Sequence, residues 1–261
     1  MRTPRLAGLG LATMAAAAFA AAGCDNGAIT PSASAPPPTS TASSASAADP
    51  AAVSALSKAT ALLGTTSFKV TATSGAGFKL TAAVDPPGGN GTAELSASGP
   101  NAEVGIKTLL IGQDLYAQVP GITKAGTWTH VDVSRLPEGA NIGLRPGQLD
   151  PVGTANLLGT STDVHATGGN SYAGTLDLTK AAGLAGLSQV TIDGYGAAAS
   201  NVPFTAGLDA QGRLTELTVK LPQGDPIEVL YSDYGAPVTV TKPAAAEITE
   251  APDSFYSSLG S

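Results

Sequence analysis

The sequence has few cysteines, few aromatic residues and few charges. Of its 261 residues only Cys24 is a cysteine, 5% are aromatic and 13% are charged. A chain with one cysteine has no internal disulfide, and Cys24 has no second cysteine and no nearby histidine with which to form a thiolate metal site. So low a charge content is atypical of a cytosolic enzyme. Together with 32 Gly and 19 Pro, it indicates a secreted, β-rich protein.

Basic residues are the minority among the charges. The chain has 13 Lys and Arg against 20 Asp and Glu, a net charge of −7. Loss of an N-terminal segment containing Arg2 and Arg5 would leave 11 basic and 20 acidic residues, a net charge of −9. Because nucleic-acid binding relies on clustered Lys and Arg at the phosphates, we expect no nucleic-acid partner.

Residues 1–23 have the organisation of a secretory signal peptide. Arg2 and Arg5 precede an uncharged, mostly apolar run from Leu6 to Ala22, which is the order of the positive and hydrophobic regions of such a signal. The run is shorter than the roughly 20 residues that a membrane-spanning helix needs. We therefore expect this segment to direct export of the chain.

Cys24 directly follows three small residues, Ala21, Ala22 and Gly23. This arrangement resembles a bacterial lipobox, in which the cysteine sulfur receives diacylglycerol, although Ala21 stands where the usual pattern has Leu. The resemblance implies cleavage between Gly23 and Cys24, and anchoring by acyl chains worth about 0.8 kcal/mol per buried CH₂. Two alternatives remain for Cys24: a small buried hydrophobic residue, or an incidental position after an ordinary cleavable signal. The lipobox interpretation places the protein outside the cytoplasm, lipid-anchored to the outer face of the plasma membrane.

Residues 24–48 are predicted to be the acylated cysteine and a disordered tether. After Cys24 the sequence reads DNGAITPSASAPPPTSTASSASAA, with one charge and almost no large apolar side chains. Such a segment cannot bury enough surface to offset its ordering entropy. At ~5–6 Å × √n, its 24 residues would hold a domain about 25–30 Å from the membrane.

Residues 49–250 are predicted to form a single domain with three short helices, and residues 251–261 a C-terminal tail. Asp49 as N-cap and Pro50 at the first helical position begin the first helix, and Gly64 ends it. Its predicted buried face consists of Val53, Leu56, Ala59 and Leu63. Asp150-Pro151 begins a second helix. Residues 178–187, LTKAAGLAGL, are predicted to form a third helix with Thr179 as N-cap.

Roughly ten strands are predicted from runs of alternating apolar residues separated by Gly, Pro and Asn turns. The runs include SFKVTATS, FKLTAAV, TAELSAS and AEVGIKTLLIG, and VTID (residues 190–193) also has the composition of a strand. Such a pattern is typical of an antiparallel meander with one buried face and one solvated face. The fold class is therefore α+β. The segment from Ala244 has few apolar residues and is predicted to fray.

Five motifs in this order resemble the actinobacterial LppX/LprA/LprF/LprG lipoprotein family. They are GQDLYAQV, WTHVD, SYAGTLDLT, FTAGLDAQGRLTELTVKLP and YSDYGAPVTVTKP, within a match over about residues 49–250. The resemblance implies a strongly curved antiparallel half-barrel that wraps a few helices around an apolar cavity. It also implies a lipoprotein that carries or presents acylated lipid at the cell envelope, with no enzymatic activity and no cofactor.

The partners implied by this resemblance are the plasma membrane, through Cys24, and an acylated lipid or glycolipid. Envelope transport partners are possible, and the sequence does not identify them. Ten apolar residues are candidates for lining the cavity, and ordinary core packing is the alternative for each. The candidates are Phe68, Val70, Phe78, Leu80, Leu95, Val104, Ile106, Leu115, Leu157 and Leu158.

No catalytic or metal site is predicted. His130 and His165 are the only histidines, and neither has a His or Cys at ligand spacing. Each is expected to be a solvated residue of a strand. Five carboxylates lie in turn-like sequence, where Asp satisfies nearby backbone donors; they are Asp132, Asp163, Asp177, Asp193 and Asp209. Two alternatives to a lipid carrier remain open. One is a structural or interaction lipoprotein of the same fold, and the other is a hydrolase with an unrecognised carboxylate pair.

Overall fold

The computed structural model describes residues 48–99, 102–121, 123–136, 144, 149–181 and 187–258. The predicted signal peptide, Gly23, Cys24 and the tether up to residue 47 lie outside these residues, as does the end of the predicted tail, residues 259–261. The described residues belong to one compact unit.

The first helix, α1 (Pro50–Leu62), begins where the sequence predicts. An Asp49 side-chain oxygen accepts a hydrogen bond from the Ala51 amide at 2.9 Å, and Pro50 occupies the first turn. The buried side chains follow one another at spacings of three to four residues and are Ala52, Leu56, Ala59 and Leu63. The predicted face was wrong at Val53, which is 42% exposed, because Val53 lies about 100° around the helix from Ala52.

Twelve strands are present among the described residues and form one sheet. They are β1 (Phe68–Ser74), β2 (Phe78–Asp85), β3 (Asn90–Gly99), β4 (Ala102–Ile111), β5 (Asp114–Gln118), β6 (Trp128–Asp132), β7 (Ser161–Gly168), β8 (Ser171–Leu176), β9 (Val202–Leu208), β10 (Leu214–Val219), β11 (Ile227–Ser232) and β12 (Ile248–Glu250). The order across the sheet is β12-β6-β5-β4-β3-β2-β1-β11-β10-β9-β8-β7.

The sheet is mixed and open, with β12 and β7 at its two ends. Neighbouring strands are antiparallel except for β12, which is parallel to β6. The four runs SFKVTATS, FKLTAAV, TAELSAS and AEVGIKTLLIG become β1 to β4, joined in sequence by hairpins. An α+β architecture is thus confirmed, with more strands than the sequence predicted.

The described residues form three further, short helices: α2 (Thr154–Gly159), α3 (Gln189–Tyr195) and α4 (Asp253–Ser258). The helix predicted over residues 178–187 was wrong at its start. There a 3-10 turn over Leu178–Lys180 is capped by Asp177, which accepts a hydrogen bond from the Thr179 amide; residues 182–186 lie outside the described part. The strand-like VTID was also misassigned, because it lies within α3, capped by Ser188.

The C-terminal segment packs on the domain. The prediction that the chain frays from Ala244 was wrong, because β12 joins the sheet and Ala251 and Tyr256 are buried. The Asp132 amide donates a hydrogen bond to the Tyr256 hydroxyl at 3.0 Å. Arg135 contacts the Tyr256 ring from 4.0 Å. Residues 245–256 are therefore part of the folded domain.

Gly174 of β8 offers a test of packing between β8 and its neighbours. A Cβ atom there would lie 2.8 Å from Phe204 Cε1 and 2.8 Å from the Thr162 carbonyl oxygen. We expect Gly174→Ala to lower the free energy of unfolding by about 1–2 kcal/mol, because overpacking forces the neighbours to shift. Urea unfolding measures this change. Gly105→Ala in β4 is the matched control, since nothing lies within 4 Å of its Cβ position; an equal loss in both variants would contradict the packing argument.

Candidate functional site

One face of the sheet, here called the inner face, carries the hydrophobic core. Cross-strand pairing aligns six of its residues in a row across β1 to β6, and all six are buried. The row consists of Phe68, Val84, Gly91, Leu110, Leu115 and Val131. Apolar residues of α1 and α2 belong to the same core cluster. The inner face is therefore the face that packs against these helices.

Further along the same strands, the inner face stays apolar but becomes accessible to water. Leu80, Leu95 and Ile106 pair across β2 to β4, and so do Phe78, Ala97 and Val104. Five of these six side chains are half-buried, and Val104 is 37% exposed. We call this surface the apolar patch: Phe78, Leu80, Leu95, Ala97, Val104 and Ile106. Contiguous exposed apolar surface of this kind marks binding sites more often than solitary apolar residues do.

The structure divides the ten predicted cavity residues into two groups. Eight of them lie on the inner face of β1 to β5, as their alternation predicts. Phe68, Val70, Leu115, Leu157 and Leu158 are buried in the core. Phe78, Leu80, Leu95, Val104 and Ile106 come together in the apolar patch. Ala97 was not among the predicted cavity residues, although it lies two residues after Leu95 and therefore on the same face of β3.

A polar cluster holds α2 against the inner face. The second helix was predicted to begin at Asp150-Pro151, but α2 begins at Thr154. The Asp150 carboxylate instead accepts hydrogen bonds from the amides of Gly153 at 3.0 Å and Ala155 at 2.9 Å. Burial raises the pKa of the Asp150 carboxyl, and these backbone hydrogen bonds oppose the rise. The Thr154 and Tyr231 hydroxyls form a hydrogen bond in the core, and burial raises the pKa of Tyr231 well above its ordinary value. These contacts fix α2 over β11.

The Thr154–Tyr231 pair can be tested by mutation. Tyr231→Phe leaves the fully buried Thr154 hydroxyl without this partner, which we expect to lower the free energy of unfolding by about 1–2 kcal/mol. Adding Thr154→Val removes the unsatisfied hydroxyl, so the double variant should lose less than the sum of the two single variants. A double-mutant cycle from urea unfolding measures this coupling. Strictly additive losses would show that the hydrogen bond does not couple α2 to β11.

His130 of β6 lies between two carboxylates at the junction with β12. Its Nε2 is 2.7 Å from Asp114 Oδ1, and its Nδ1 is 2.6 Å from Glu250 Oε2. Both nitrogens can donate only in the imidazolium form. Burial lowers the pKa of His130, but the hydrogen bonds to Glu250 and Asp114 outweigh burial and raise that pKa above 6.5. The ring also stacks on Tyr116 at a centroid distance of 5.0 Å.

The role of His130 differs from the solvated strand residue that the sequence suggested. Its side chain is only 17% exposed, and its carbonyl accepts a hydrogen bond from the Ala251 amide at 2.9 Å. His130 therefore connects β12 to the body of the sheet. Among the described residues, no group of three or more His, Cys, Asp or Glu side chains is arranged to hold a metal ion.

Three of the turn carboxylates act as local caps. Ser134 donates through its hydroxyl and amide to Asp132 and lowers the pKa of that carboxyl. Thr179 does the same to Asp177. Burial favours a higher pKa for Asp209, but hydrogen bonds from the Arg213 amide and side chain lower it. Each of these groups thus has a structural role in its own turn.

Comparison with known proteins does not assign a family. No protein-family model matches the chain, and no curated protein is significantly similar to it. The resemblance to the LppX/LprA/LprF/LprG lipoproteins therefore stays a prediction from the sequence. Within the described residues, none of the helices has the length and hydrophobicity needed to cross a membrane.

Proposed function

We propose that this protein is an envelope lipoprotein that binds acylated lipid on the inner face of its sheet and carries or presents that lipid at the cell envelope. The observation that supports this proposal is the apolar patch, which continues the core-bearing face beyond its buried rows. In this proposal the sheet curves as a half-barrel around its helices and leaves an apolar cavity along the patch. Acyl chains would partition from the bilayer into that cavity.

Partitioning requires no catalytic group. Each CH₂ buried on the inner face contributes about 0.8 kcal/mol, so a chain of ordinary length gains enough to leave a bilayer for an apolar site of sufficient size. Cys24 would anchor the protein to the membrane, and residues 24–48 would let the domain reach the lipid. The lipid on Cys24 and the lipid bound by the domain are separate molecules in this mechanism.

The direct test is native mass spectrometry of residues 49–261, exported behind an unrelated cleavable signal in an actinobacterial host. We expect a mass increment that corresponds to a bound acylated lipid and that disappears after extraction with organic solvent. A domain that carries no lipid under gentle conditions would contradict the carrier proposal.

The membrane anchor needs its own test, because it is independent of lipid carriage. We expect Cys24→Ala to release the protein from the membrane fraction or to leave its signal peptide uncleaved. Metabolic labelling with an alkyne fatty acid shows directly whether the chain is acylated. We expect the wild-type chain to carry the label and the Cys24→Ala chain to lack it. Retention of label on the Cys24→Ala chain would contradict lipidation at Cys24.

A second candidate function is supported by the packing of the core. Phe68, Val70 and Leu157 are each 1% exposed, and Leu115 and Leu158 are also buried. Half of the predicted cavity residues therefore contact the protein itself. If the patch is too small for a lipid, the protein is a structural or interaction lipoprotein of the same fold, and its patch would then contact another envelope protein.

A further inference from the structure

The face of the sheet opposite the inner face carries an open groove of 390 Å³, here called the outer groove. Eight of its lining residues form two rows across β1 to β4, as cross-strand pairing shows. One row consists of Lys69, Ala83, Thr92 and Leu109, and the other of Thr71, Thr81, Glu94 and Lys107. Trp128 of β6 also lines the groove.

The groove offers polar atoms that the described part of the chain does not use. The hydroxyls of Thr71, Thr81 and Thr92 and the indole N–H of Trp128 have no hydrogen-bond partner among the described residues. Hydroxyls both donate and accept, whereas the indole N–H only donates. The two rows therefore present hydrogen-bonding groups at short intervals, beside one large aromatic ring.

The charges in the groove are already paired. Lys107 lies 3.4 Å from Glu94, and Lys69 lies 2.8 Å from Asp233. An anionic polymer such as a nucleic acid binds to clustered cations that it neutralises. A groove whose cations have carboxylate partners favours an uncharged ligand instead.

We infer that the outer groove binds a neutral oligosaccharide of two or three sugar rings. A sugar ring has an apolar C–H face that can stack on the Trp128 ring, and hydroxyl edges that can hydrogen-bond to Thr71, Thr81 and Thr92. Strands lie about 4.8 Å apart, so β1 to β4 span roughly 14 Å. A volume of 390 Å³ also falls within the ~300–1,000 Å³ range of small-ligand sites.

This site is independent of the proposed lipid function, because the outer groove and the apolar patch lie on opposite faces of the sheet. The groove is open to solvent, so we expect weak binding, with a Kd of about 1 mM. Such affinity suits a repeating envelope polysaccharide, on which many copies of the sugar are presented together.

The only tryptophan of the chain lies in this groove, which makes fluorescence a site-specific measurement. The full chain, in a detergent without a sugar headgroup, is titrated with maltotriose, cellotriose and mannotriose, and is then applied to an array of neutral glycans. We expect a saturable change in Trp128 emission with at least one trisaccharide or array ligand. If none of these sugars binds, the inference is wrong.

Two threonines of β1 provide a matched pair of variants. Thr71 lines the groove, whereas Thr73 lies on the same face of the same strand but does not line it. We expect Thr71→Val to weaken sugar binding about 3- to 10-fold, the effect of losing one hydrogen bond, and Thr73→Val to leave it unchanged. Equal effects of the two variants would place binding elsewhere. Neither variant should change lipid occupancy, so failure of this inference is distinguishable from failure of the lipid proposal.

Discussion

Leu95→Asp is expected to reduce lipid bound to the purified domain by at least tenfold. Leu95 occupies the centre of the apolar patch, where it pairs with Leu80 on β2 and Ile106 on β4. Removing a buried Leu side chain from an acyl-chain contact costs about 1.5–3 kcal/mol, and a carboxylate next to the chain adds a desolvation penalty. Since about 1.4 kcal/mol is tenfold in affinity, these effects exceed one order of magnitude. Native mass spectrometry of the bound lipid measures the loss.

Ser96→Asp is the matched control for this experiment. Ser96 is the next residue of β3 and lies on the opposite face, where it pairs with Lys79. The Ser96→Asp substitution adds the same charge one position away without touching the apolar patch, so lipid occupancy should remain at the wild-type value. Val104→Asp is a second variant that should disturb folding less, because the Val104 side chain is already 37% exposed to solvent. If Leu95→Asp and Val104→Asp both fold and retain lipid, the patch does not bind lipid.

His130→Gln is expected to lower the free energy of unfolding by about 2 kcal/mol at pH 5.5 and by much less at pH 8.5. Hydrogen bonds between charged groups contribute about 1.5–3 kcal/mol each, and the exposure of Glu250 and Asp114, 74% and 46%, reduces that contribution. The pKa of His130 is raised in the folded protein. The stabilisation by the His130 imidazolium is therefore complete at a pH below about 6.5, the pKa in the unfolded chain. It is lost as the pH rises through the higher pKa of the folded protein.

The measurement is urea unfolding of both proteins over this pH range, with the difference in free energy plotted against pH. His165→Gln is the control, because His165 is exposed, its Nδ1 lies 2.8 Å from the Asp163 carbonyl oxygen, and it forms no ion pair with a carboxylate of the described residues. The Asp114 and Glu250 carboxylates face His130 from β5 and β12, and the Lys242 ammonium lies 5.7 Å from the Tyr116 ring centroid on the same side. A difference that stays constant from pH 5.5 to 8.5 would show that the imidazolium does not stabilise β12.

If these results are obtained, the two faces of the sheet have separate roles. Lipid would bind on the inner face, at the apolar patch, and the charged contacts of His130 would hold the C-terminal strand at the sheet edge. Because β12 is three residues long, its pairing with β6 alone is a weak attachment, and the Asp114–His130–Glu250 contacts add directly to it. A loss of stability without a loss of lipid would separate the two roles.

Local sequence determined much of the fold. The start of α1 is determined by adjacent residues, because Asp49 caps the helix and Pro50 occupies its first turn. Alternating side chains fix β1 to β6 and place eight cavity candidates on one face, because a strand has a period of two. Turn chemistry fixes the hairpin between β9 and β10, where the Asp209 carboxylate accepts hydrogen bonds from the Gln211 and Arg213 amides.

Local sequence failed where distant residues decide the outcome. The β-branched residues of VTID favour a strand, yet capping by Ser188 and burial of Ile192 make the segment part of α3. The residues from Ala244 have few apolar side chains, yet β12 pairs with β6, which lies about 120 positions earlier in the chain. The Ser188 cap is a local signal that the β-branched composition obscured, whereas the core that buries Ile192 and the strand that pairs with β12 both lie outside these segments.

The sequence by itself determined which apolar side chains share a face; only the tertiary structure decided which of them form core and which form the apolar patch. Phe68 and Phe78 have the same alternation, but Phe68 is buried and Phe78 is half-buried. Periodicity follows from backbone geometry, which is local, whereas burial depends on which helix or segment packs over each row. The same distinction applies to His130, whose two carboxylate partners become neighbours only when β5, β6 and β12 come together.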